Sequence, residues 1–136
     1  MKTKFILALI GGLLYLASCQ VSVSNENPKS KKGMVKVTIM YPNGDGKNFD
    51  MDYYSNKHMP MVADLLGDSL KLLEIDKGMG GRTPDDPMPY LAIGYLYFDQ
   101  LSAYQNSFGP HAQQIVGDIP NYTNTQPIIQ ISEVLE

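Results

Sequence analysis

The chain has one cysteine and no tryptophan. A single cysteine excludes a disulfide within the chain, so an apolar core must hold the fold together. Cys19 ends a segment in which two lysines precede an apolar run from Phe5 to Leu16, the layout of a secretory signal. Leu16-Ala17-Ser18-Cys19 resembles the bacterial lipobox, in which the cysteine is lipidated. We therefore expect residues 1–18 to be a lipoprotein signal peptide and Cys19 to be lipidated, which would anchor the protein to a membrane of the bacterial cell envelope. Plain cleavage near Ala17 beside an incidental cysteine is the alternative.

Basic side chains are scarce in the part of the chain that should fold. Residues 19–33 are polar, which predicts a flexible tether and places the folded domain at residues 34–136. Within that domain six basic side chains stand against thirteen acidic ones, a net charge of −7. This charge repels phosphate backbones and argues against nucleic acid as a partner. It also gives no attraction to an anionic membrane, so the lipid alone would hold the protein there.

Motifs for cofactors are missing as well. The glycines of residues 78–81 lack both the GxGxxG spacing and a following helix, so no nucleotide cradle is expected. Only two histidines occur, His58 and His111, and no HxxxH or ExxH spacing supplies further metal ligands. We therefore expect neither a metal nor another cofactor. Haem, which needs only one proximal histidine, stays open as an alternative.

The hydrophobic pattern indicates six elements of secondary structure. Alternation predicts a strand from Val35 to Tyr41, and a continuous apolar run predicts a central strand from Tyr90 to Phe98. Helical spacing predicts a helix over Tyr53–Leu66 and a second helix capped by Asp99. Two further strands are predicted at Leu70–Ile75 and Ile128–Leu135. The order βαββαβ indicates an α+β, ferredoxin-like fold with a four-stranded antiparallel sheet and two helices on one face.

Both faces of this sheet carry apolar side chains. On the central strand one set of residues faces away from the other: Leu91, Ile93, Tyr95 and Tyr97 against Tyr90, Ala92, Leu96 and Phe98. Two helices can cover only one face, and an exposed apolar sheet surface usually marks an interface. We therefore expect a homodimer formed sheet against sheet.

One histidine lies on the first predicted helix. Tyr54 and His58, about one turn apart, share the helix face that should meet the sheet. Asp50 or Asp52 is placed to cap the start of this helix. Pro60 removes a backbone donor, so we expect the helix to kink just before it.

Several short motifs occur in an order that resembles the EthD domain. They are Tyr41-Pro42-Asn43, the FDMDYY run, Lys57-His58-Met59-Pro60, Ala92-Ile93-Gly94-Tyr95, Phe108-Gly109-Pro110-His111, Ile119-Pro120-Asn121-Tyr122-Thr123 and Gln130-Ile131-Ser132-Glu133-Val134. The resemblance covers residues 34–136. It implies a dimeric α/β barrel, in which two ferredoxin-like sheets close on each other, and an oxidoreductase-type enzyme. Similar barrels include cofactor-free monooxygenases, polyketide cyclases, muconolactone isomerases and haem-dependent enzymes.

The two histidines are the natural candidates for proton transfer, because imidazole titrates near neutral pH. We expect His58 to be the general acid/base of a cofactor-independent enzyme, assisted by Tyr54 and His111. The space between the helices and the sheet is expected to bind a small apolar or aromatic oxygenated molecule. Its expected substrate-binding residues are Tyr41, Tyr95, Tyr97 and Phe108.

Several alternatives stay open. Both histidines could be satisfied packing residues, and the cavity could be filled by the protein's own side chains. The domain could also be a lipid-anchored module that binds a small molecule, haem included, without catalysis. An isomerase or cyclase on the same fold is a further alternative. Tyr122 and its PNYT loop fit an ordinary turn better than a contact in a site.

Overall fold

The structure is a computed structural model that describes residues 27–136. The expected signal peptide and Cys19 lie outside the described residues. Residues 27–33, the end of the expected tether, form neither helix nor strand and are exposed. Met34 is the first buried side chain in the described part, and the first strand follows it directly.

Four strands form one antiparallel sheet in the order β2-β3-β1-β4. The strands are β1 (Val35–Pro42), β2 (Leu72–Lys77), β3 (Tyr90–Phe98) and β4 (Ile128–Glu133). Strand β1 pairs with β3 on one side and β4 on the other, so that Val37 lies between Leu96 and Ile131. This is the predicted ferredoxin-like sheet. Strand β2 begins two residues later than expected, and β4 ends two residues earlier.

The first helical segment changes its winding along its length. It consists of α1 (Met51–Tyr53), a π-helical stretch (Tyr54–His58), α2 (Met59–Leu66) and a 3₁₀ turn (Gly67–Ser69). The Asp50 carboxylate caps its start by accepting a hydrogen bond from the Tyr53 amide at 2.9 Å. Pro60 has no amide hydrogen to complete a regular α-helical turn, and the wider π-helical winding lies immediately before it. The expected irregularity before Pro60 is therefore present.

The second helical segment is also divided. It consists of α3 (Leu101–Phe108), a 3₁₀ turn (Gly109–His111), α4 (Ala112–Gly117) and a second 3₁₀ turn (Ile119–Asn121). The expected cap at Asp99 is wrong: the N-cap residue is Gln100, and no side chain caps this helix. Extended backbone at Gln100 moves the helix start one residue on, and the Asp99 carboxylate instead lies 3.7 Å from the ammonium group of Lys71. The expected interruption at Gly109-Pro110 is confirmed.

The core lies between the helical segments and one face of the sheet. Its strand residues are Val37, Tyr41, Ala92, Leu96 and Phe98, and its helical residues include Tyr54, Met59, Val62, Leu66, Ile115 and Ile119. No helix in the described part of the chain has both the length and the apolar character needed to cross a membrane.

The other face of the sheet, here called the open face, has no helix over it. Its apolar side chains are Met40, Leu72, Leu91, Ile93, Tyr95, Tyr97 and Ile128. Polar residues share it: Glu74 and Asp76 on β2, Lys36 and Thr38 on β1, and Gln130 on β4. The expectation of an apolar face is thus only half correct, because alternation along β2 and β4 places charged and amide groups there too.

Candidate functional site

The site is centred on His58, which is 4% exposed. Its Nδ1 atom lies 2.8 Å from one carboxylate oxygen of Asp118, a residue that follows α4. The π-helical winding places His58 at the end of its stretch, pointing toward the second helical segment. Because a carboxylate only accepts hydrogen bonds, Nδ1 carries the proton in this pair and Nε2 is left with a free electron pair.

Asp118 is held by a full set of donors. Its second oxygen accepts hydrogen bonds from the Tyr53 hydroxyl at 2.9 Å and from the Asn121 side-chain amide at 2.8 Å. Burial by itself would raise the pKa of Asp118, but the hydrogen bonds from Asn121, His58 and Tyr53 outweigh it and lower the pKa. Asp118 therefore stays ionised and fixes the orientation of the His58 ring.

Burial also sets the charge of His58. Removal from water lowers the pKa of His58 from its ordinary 6.5, and this effect exceeds the opposing hydrogen bond and charge of Asp118. The net effect is a lowered pKa of His58, so the imidazole is neutral near pH 7. A neutral, oriented imidazole is the form that can remove a proton.

Two tyrosine hydroxyls extend this arrangement. The Tyr122 hydroxyl lies 3.3 Å from His58 Nε2 and 2.7 Å from the Tyr41 hydroxyl. Both rings are buried, and burial is the main reason that the pKa values of Tyr122 and Tyr41 are raised. Neutral hydroxyls can both donate and accept, so Asp118, His58, Tyr122 and Tyr41 form a continuous hydrogen-bonded chain.

A cavity of about 250 Å³ lies beside this chain, between the sheet and the helical segments. His58 and Tyr41 are part of its wall. Most of the wall is apolar and comes from Val37, Met59, Val62, Leu96, Phe108, Ile115 and Ile119, with Tyr104 as a further aromatic residue. The β4 side is formed by Gln126, Pro127 and Ile129, and Ile129 is half exposed there. The volume suits a small molecule with little charge.

Tyr54 packs beside the cavity and not in its wall. Its ring stacks on His58 with centroids 5.6 Å apart, and its buried hydroxyl has no hydrogen-bond partner among the described residues. That hydroxyl points at Gly94 of β3, where an added Cβ would lie 2.4 Å from the oxygen. Gly94 is therefore needed to make room for Tyr54.

The structure brings together only some of the predicted site residues. His58, Tyr41 and Phe108 line the cavity, as expected. Tyr54 supports the His58 ring by stacking. His111 is half-buried in its 3₁₀ turn and does not line the cavity, so the expected pairing of the two histidines at one site is wrong.

Tyr95 and Tyr97 do not line this cavity, and their expected placement there is wrong. Odd-numbered residues of β3 lie on the open face, opposite to Leu96. The Tyr97 hydroxyl donates to Glu74 at 2.8 Å, and burial together with this contact raises the pKa of Tyr97 to about 12. Burial and a hydrogen bond to Asp76 likewise raise the pKa of Tyr95.

Two residues of the site were not predicted. Tyr122 was interpreted as part of an ordinary turn, but it is buried and touches both His58 and Tyr41. Asp118 was not considered, because it lies 60 residues from His58 and belongs to no helical or strand pattern with it. The only signal in the sequence was an acidic residue immediately before the Ile119–Thr123 motif.

The residues do not fit a haem at His58. Both ring nitrogens are already hydrogen bonded, and a cavity of about 250 Å³ is too small for a porphyrin. Among residues 27–136, no cluster of three or more histidine, cysteine, aspartate or glutamate side chains is arranged to hold a metal ion.

Comparison with known proteins identifies the class of this fold and then the family. A family model described as EthD domain matches residues 44–126, which is more than half of the chain. The chain belongs to the EthD family. A search of proteins with curated function gives no match.

Solved structures agree with this assignment. An EthD-like protein from Ralstonia eutropha is 37% identical, with a TM-score of 0.74, over 78% of this chain and 96% of that one. An ethyl tert-butyl ether d (EthD) family protein from Bacillus halodurans is 18% identical, with a TM-score of 0.51, over 75% of this chain and 99% of that one. A protein from Shewanella loihica with a provisional monooxygenase name is 8% identical, with a TM-score of 0.50, over 79% and 99%, and shares the fold alone.

Proposed function

We propose that the protein is an enzyme in which His58 acts as general acid/base on a small apolar or aromatic oxygenated molecule bound in the cavity. The observation that carries this proposal is the Asp118–His58 pair, whose histidine lines an apolar cavity. Asp118 keeps the proton on Nδ1, and the lowered pKa of His58 keeps the ring neutral. Nε2 is then the ring atom that can accept a proton from a bound molecule. General acid–base assistance of this kind contributes about 10²–10⁴-fold to a rate.

The proposal concerns a proton transfer that different overall reactions share. Removal of a proton from an oxygenated molecule begins an isomerisation, and it also begins an oxidoreductase-type reaction in which dioxygen then attacks the deprotonated carbon. Family membership supports the oxidoreductase class in general terms. Consumption of dioxygen, measured with an oxygen electrode alongside product analysis, separates the two reactions. Neither requires a cofactor for the proton transfer itself.

A general test of a base in an apolar cavity is the elimination of a nitro-substituted benzisoxazole. The base removes the ring C–H proton, the electron pair forms a nitrile, and the N–O bond breaks to release a coloured phenolate. We expect the wild-type protein to accelerate this reaction with saturation in the probe. Failure of the folded protein to exceed the rate in buffer would show that His58 is not usable as a base from the cavity, and would contradict the proposal.

Two isoleucines of β4 provide a matched pair for this assay. Ile129 and Ile131 face the same side of the sheet and are each 49% exposed, but only Ile129 lines the cavity. We expect Ile129→Trp to obstruct the cavity and to reduce probe turnover about tenfold or more, the loss expected when a reactive orientation is disturbed. Ile131→Trp should leave turnover unchanged. Equal effects of the two substitutions would place the reaction outside the cavity.

The second candidate function is capture of a small molecule without chemistry. It is favoured by one observation: Tyr122 contacts His58 Nε2, so both ring nitrogens have hydrogen-bond partners within the protein. The 3.3 Å length of that contact makes it the weakest link of the hydrogen-bonded chain, and a substrate can displace it. Binding of the benzisoxazole probe without any elimination would select capture over catalysis.

We also propose that the protein is a homodimer formed through the open face. Ile93 lies on the inner strand β3 of that face, paired with Met40 of β1 and Asp76 of β2. A second carboxylate placed beside Asp76 would have to be desolvated in a dimer next to a like charge, so Ile93→Glu is expected to give monomers. Light scattering after size-exclusion chromatography measures this. Gln113→Glu, which adds the same charge on the exposed surface of α4, is the control and should stay dimeric. A monomeric wild type would contradict the proposal.

Lipid anchoring through Cys19 is proposed from the sequence alone. Two acyl chains on a diacylglyceryl cysteine are enough for stable membrane attachment. Expression of the full chain in a bacterial host should therefore place it in the membrane fraction, and Cys19→Ala should move it out of that fraction. Immunoblots of the separated fractions measure the change. Membrane association that survives Cys19→Ala would mean that a segment other than the lipid provides the anchor.

A further inference from the structure

Two different cavity-lining groups are connected through one buried hydroxyl. His58 Nε2 and the Tyr41 hydroxyl both contact the Tyr122 oxygen, at 3.3 Å and 2.7 Å. They can therefore lie no farther apart than these two distances combined. One of the two groups is a base, and the other is a neutral hydroxyl whose pKa is raised by burial. Both residues line the cavity, so a single small molecule can touch both side chains.

We propose that this pair makes the cavity an enolisation site for small apolar ketones, in which His58 takes the proton next to the carbonyl and Tyr41 binds the carbonyl oxygen. This inference rests on the proposed function and adds the substrate class and the role of Tyr41. The ketone oxygen gains negative charge as the proton leaves. In an apolar cavity that charge is unfavourable unless a hydrogen-bond donor already points at the oxygen. Such donors therefore account for a large part of the rate enhancement.

The step balances without any oxidant. His58 Nε2 removes the proton on the carbon next to the carbonyl, the C–H electron pair forms a carbon–carbon double bond, and the carbonyl π electrons move to the oxygen. Tyr41 donates a hydrogen bond to that oxygen. For a ketone with a double bond one carbon farther away, return of the proton from His58 to the far carbon gives the conjugated isomer.

Tyr122 is a positioning residue in this scheme. Its single proton has two acceptors within reach, His58 Nε2 and the Tyr41 oxygen. In the free protein the shared proton can lie toward Nε2, with Tyr41 donating to Tyr122. Once a substrate C–H occupies Nε2, the Tyr122 proton turns to Tyr41, and the Tyr41 proton is released to the carbonyl oxygen. Hydrogen bonds polarise one another along such a chain, so the donor is strengthened as the base is engaged.

The cavity has one competing hydroxyl, that of Tyr104. It also lines the cavity, and burial alone raises its pKa. Tyr104 has no hydrogen-bonded connection to His58 among the described residues, whereas Tyr41 has one through Tyr122. Because of this hydrogen-bonded connection to the base, we assign the contact with the carbonyl oxygen to Tyr41 and not to Tyr104.

The test uses the β,γ-unsaturated isomer of cyclohexenone, whose conversion to the conjugated ketone is followed by ultraviolet absorbance. We expect the wild type to catalyse this conversion and Tyr41→Phe to lower its rate about 10²-fold, the usual effect of losing one donor to an oxyanion. The benzisoxazole elimination should fall far less in Tyr41→Phe, because the nitro group already spreads the negative charge of the leaving phenolate. Tyr122→Phe is expected to lower the isomerisation rate by a smaller factor, again with a lesser effect on the elimination rate. Tyr90→Phe, outside the cavity and the hydrogen-bonded chain, should change neither rate.

The outcomes separate this inference from the proposed function. Benzisoxazole elimination without ketone isomerisation overturns the enolisation proposal and leaves the general base in place, whereas absence of both reactions overturns the two together. Loss of isomerisation in Tyr104→Phe with none in Tyr41→Phe would assign the oxygen contact to Tyr104 and overturn the role of Tyr41.

A binding measurement on the wild type covers the case in which Tyr41→Phe does not fold. 4-Nitrophenol resembles an enol and reports its own ionisation by colour. Binding as the yellow phenolate at a pH below its ordinary pKa would support an oxyanion-binding donor in the cavity. Binding as the neutral phenol, or no binding, would overturn the proposal.

Discussion

His58→Gln is expected to lower benzisoxazole elimination by about 10²–10⁴-fold, the range of a lost general base. Glutamine is close in volume and can still hydrogen bond to Asp118, but its amide is not basic. Turnover by the wild type should fall as the pH drops through the lowered pKa of His58, below 6.5, because the protonated ring cannot accept a proton. The pH dependence of the initial rate measures this. His111→Gln, at the other histidine, is the matched control and should keep both the rate and the profile.

Asp118→Asn tests the other half of the same pair. Removal of the carboxylate takes away the charge that opposes the effect of burial, so the pKa of His58 should fall further. The asparagine amide can also donate to Nδ1, which would place the ring proton on Nε2 and remove the base. We expect a large loss of elimination with the protein still folded. Activity that survives both His58→Gln and Asp118→Asn would mean that another group is the base.

Gly94→Ala is expected to lower the free energy of unfolding by about 2–3 kcal/mol, near the upper end of the cost of overpacking a core. An added Cβ would lie 2.4 Å from the Tyr54 oxygen and 3.0 Å from the Met59 methyl group. The Tyr54 ring cannot retreat easily, because it is fully buried and packs edge-on against Tyr41, with ring centroids 5.5 Å apart. Urea denaturation measures the change. Gly117→Ala, at a helical glycine with open space around its Cβ position, is the control and should not destabilise.

Tyr54→Phe tests whether the Tyr54 hydroxyl is the reason that Gly94→Ala destabilises the protein. Because the Tyr54 hydroxyl is buried without a partner, its removal alone should be neutral or stabilising. In the Tyr54→Phe background, Gly94→Ala should cost clearly less, since the atom nearest to the new Cβ is gone. Equal costs of Gly94→Ala in the two backgrounds would show that the close contact with the hydroxyl is not what requires glycine.

Local sequence patterns predicted the sheet well because each strand carries its own signal. The apolar run Tyr90–Phe98 and the alternation from Val35 onward both match observed strands closely. The same alternation places Tyr95 and Tyr97 away from Leu96, so their position on the open face follows from the sequence without any tertiary information. The prediction that they line the helix-side cavity was based on their aromatic character and disregarded the alternation of side chains along the strand.

The candidate site could be predicted only in part, because its main contact joins distant segments. His58 was indicated by its helix face and by Pro60, both local features. Its partner Asp118 comes 60 residues later, in the turn that follows α4, and no residue near His58 in the sequence indicates this contact. Tyr122 has the same difficulty: its loop has turn chemistry, yet packing against Tyr41 and His58 decides where its ring lies.

Strand β4 carries isoleucines toward the helix side, yet Ile129 and Ile131 are half exposed there because the helical segments stop short of it. One side of the cavity is therefore formed by Gln126, Pro127 and Ile129, whereas the proposed acid–base pair of His58 and Asp118 belongs to earlier segments. Exchange of side chains along that last strand can change ligand size and shape without disturbing the acid–base pair.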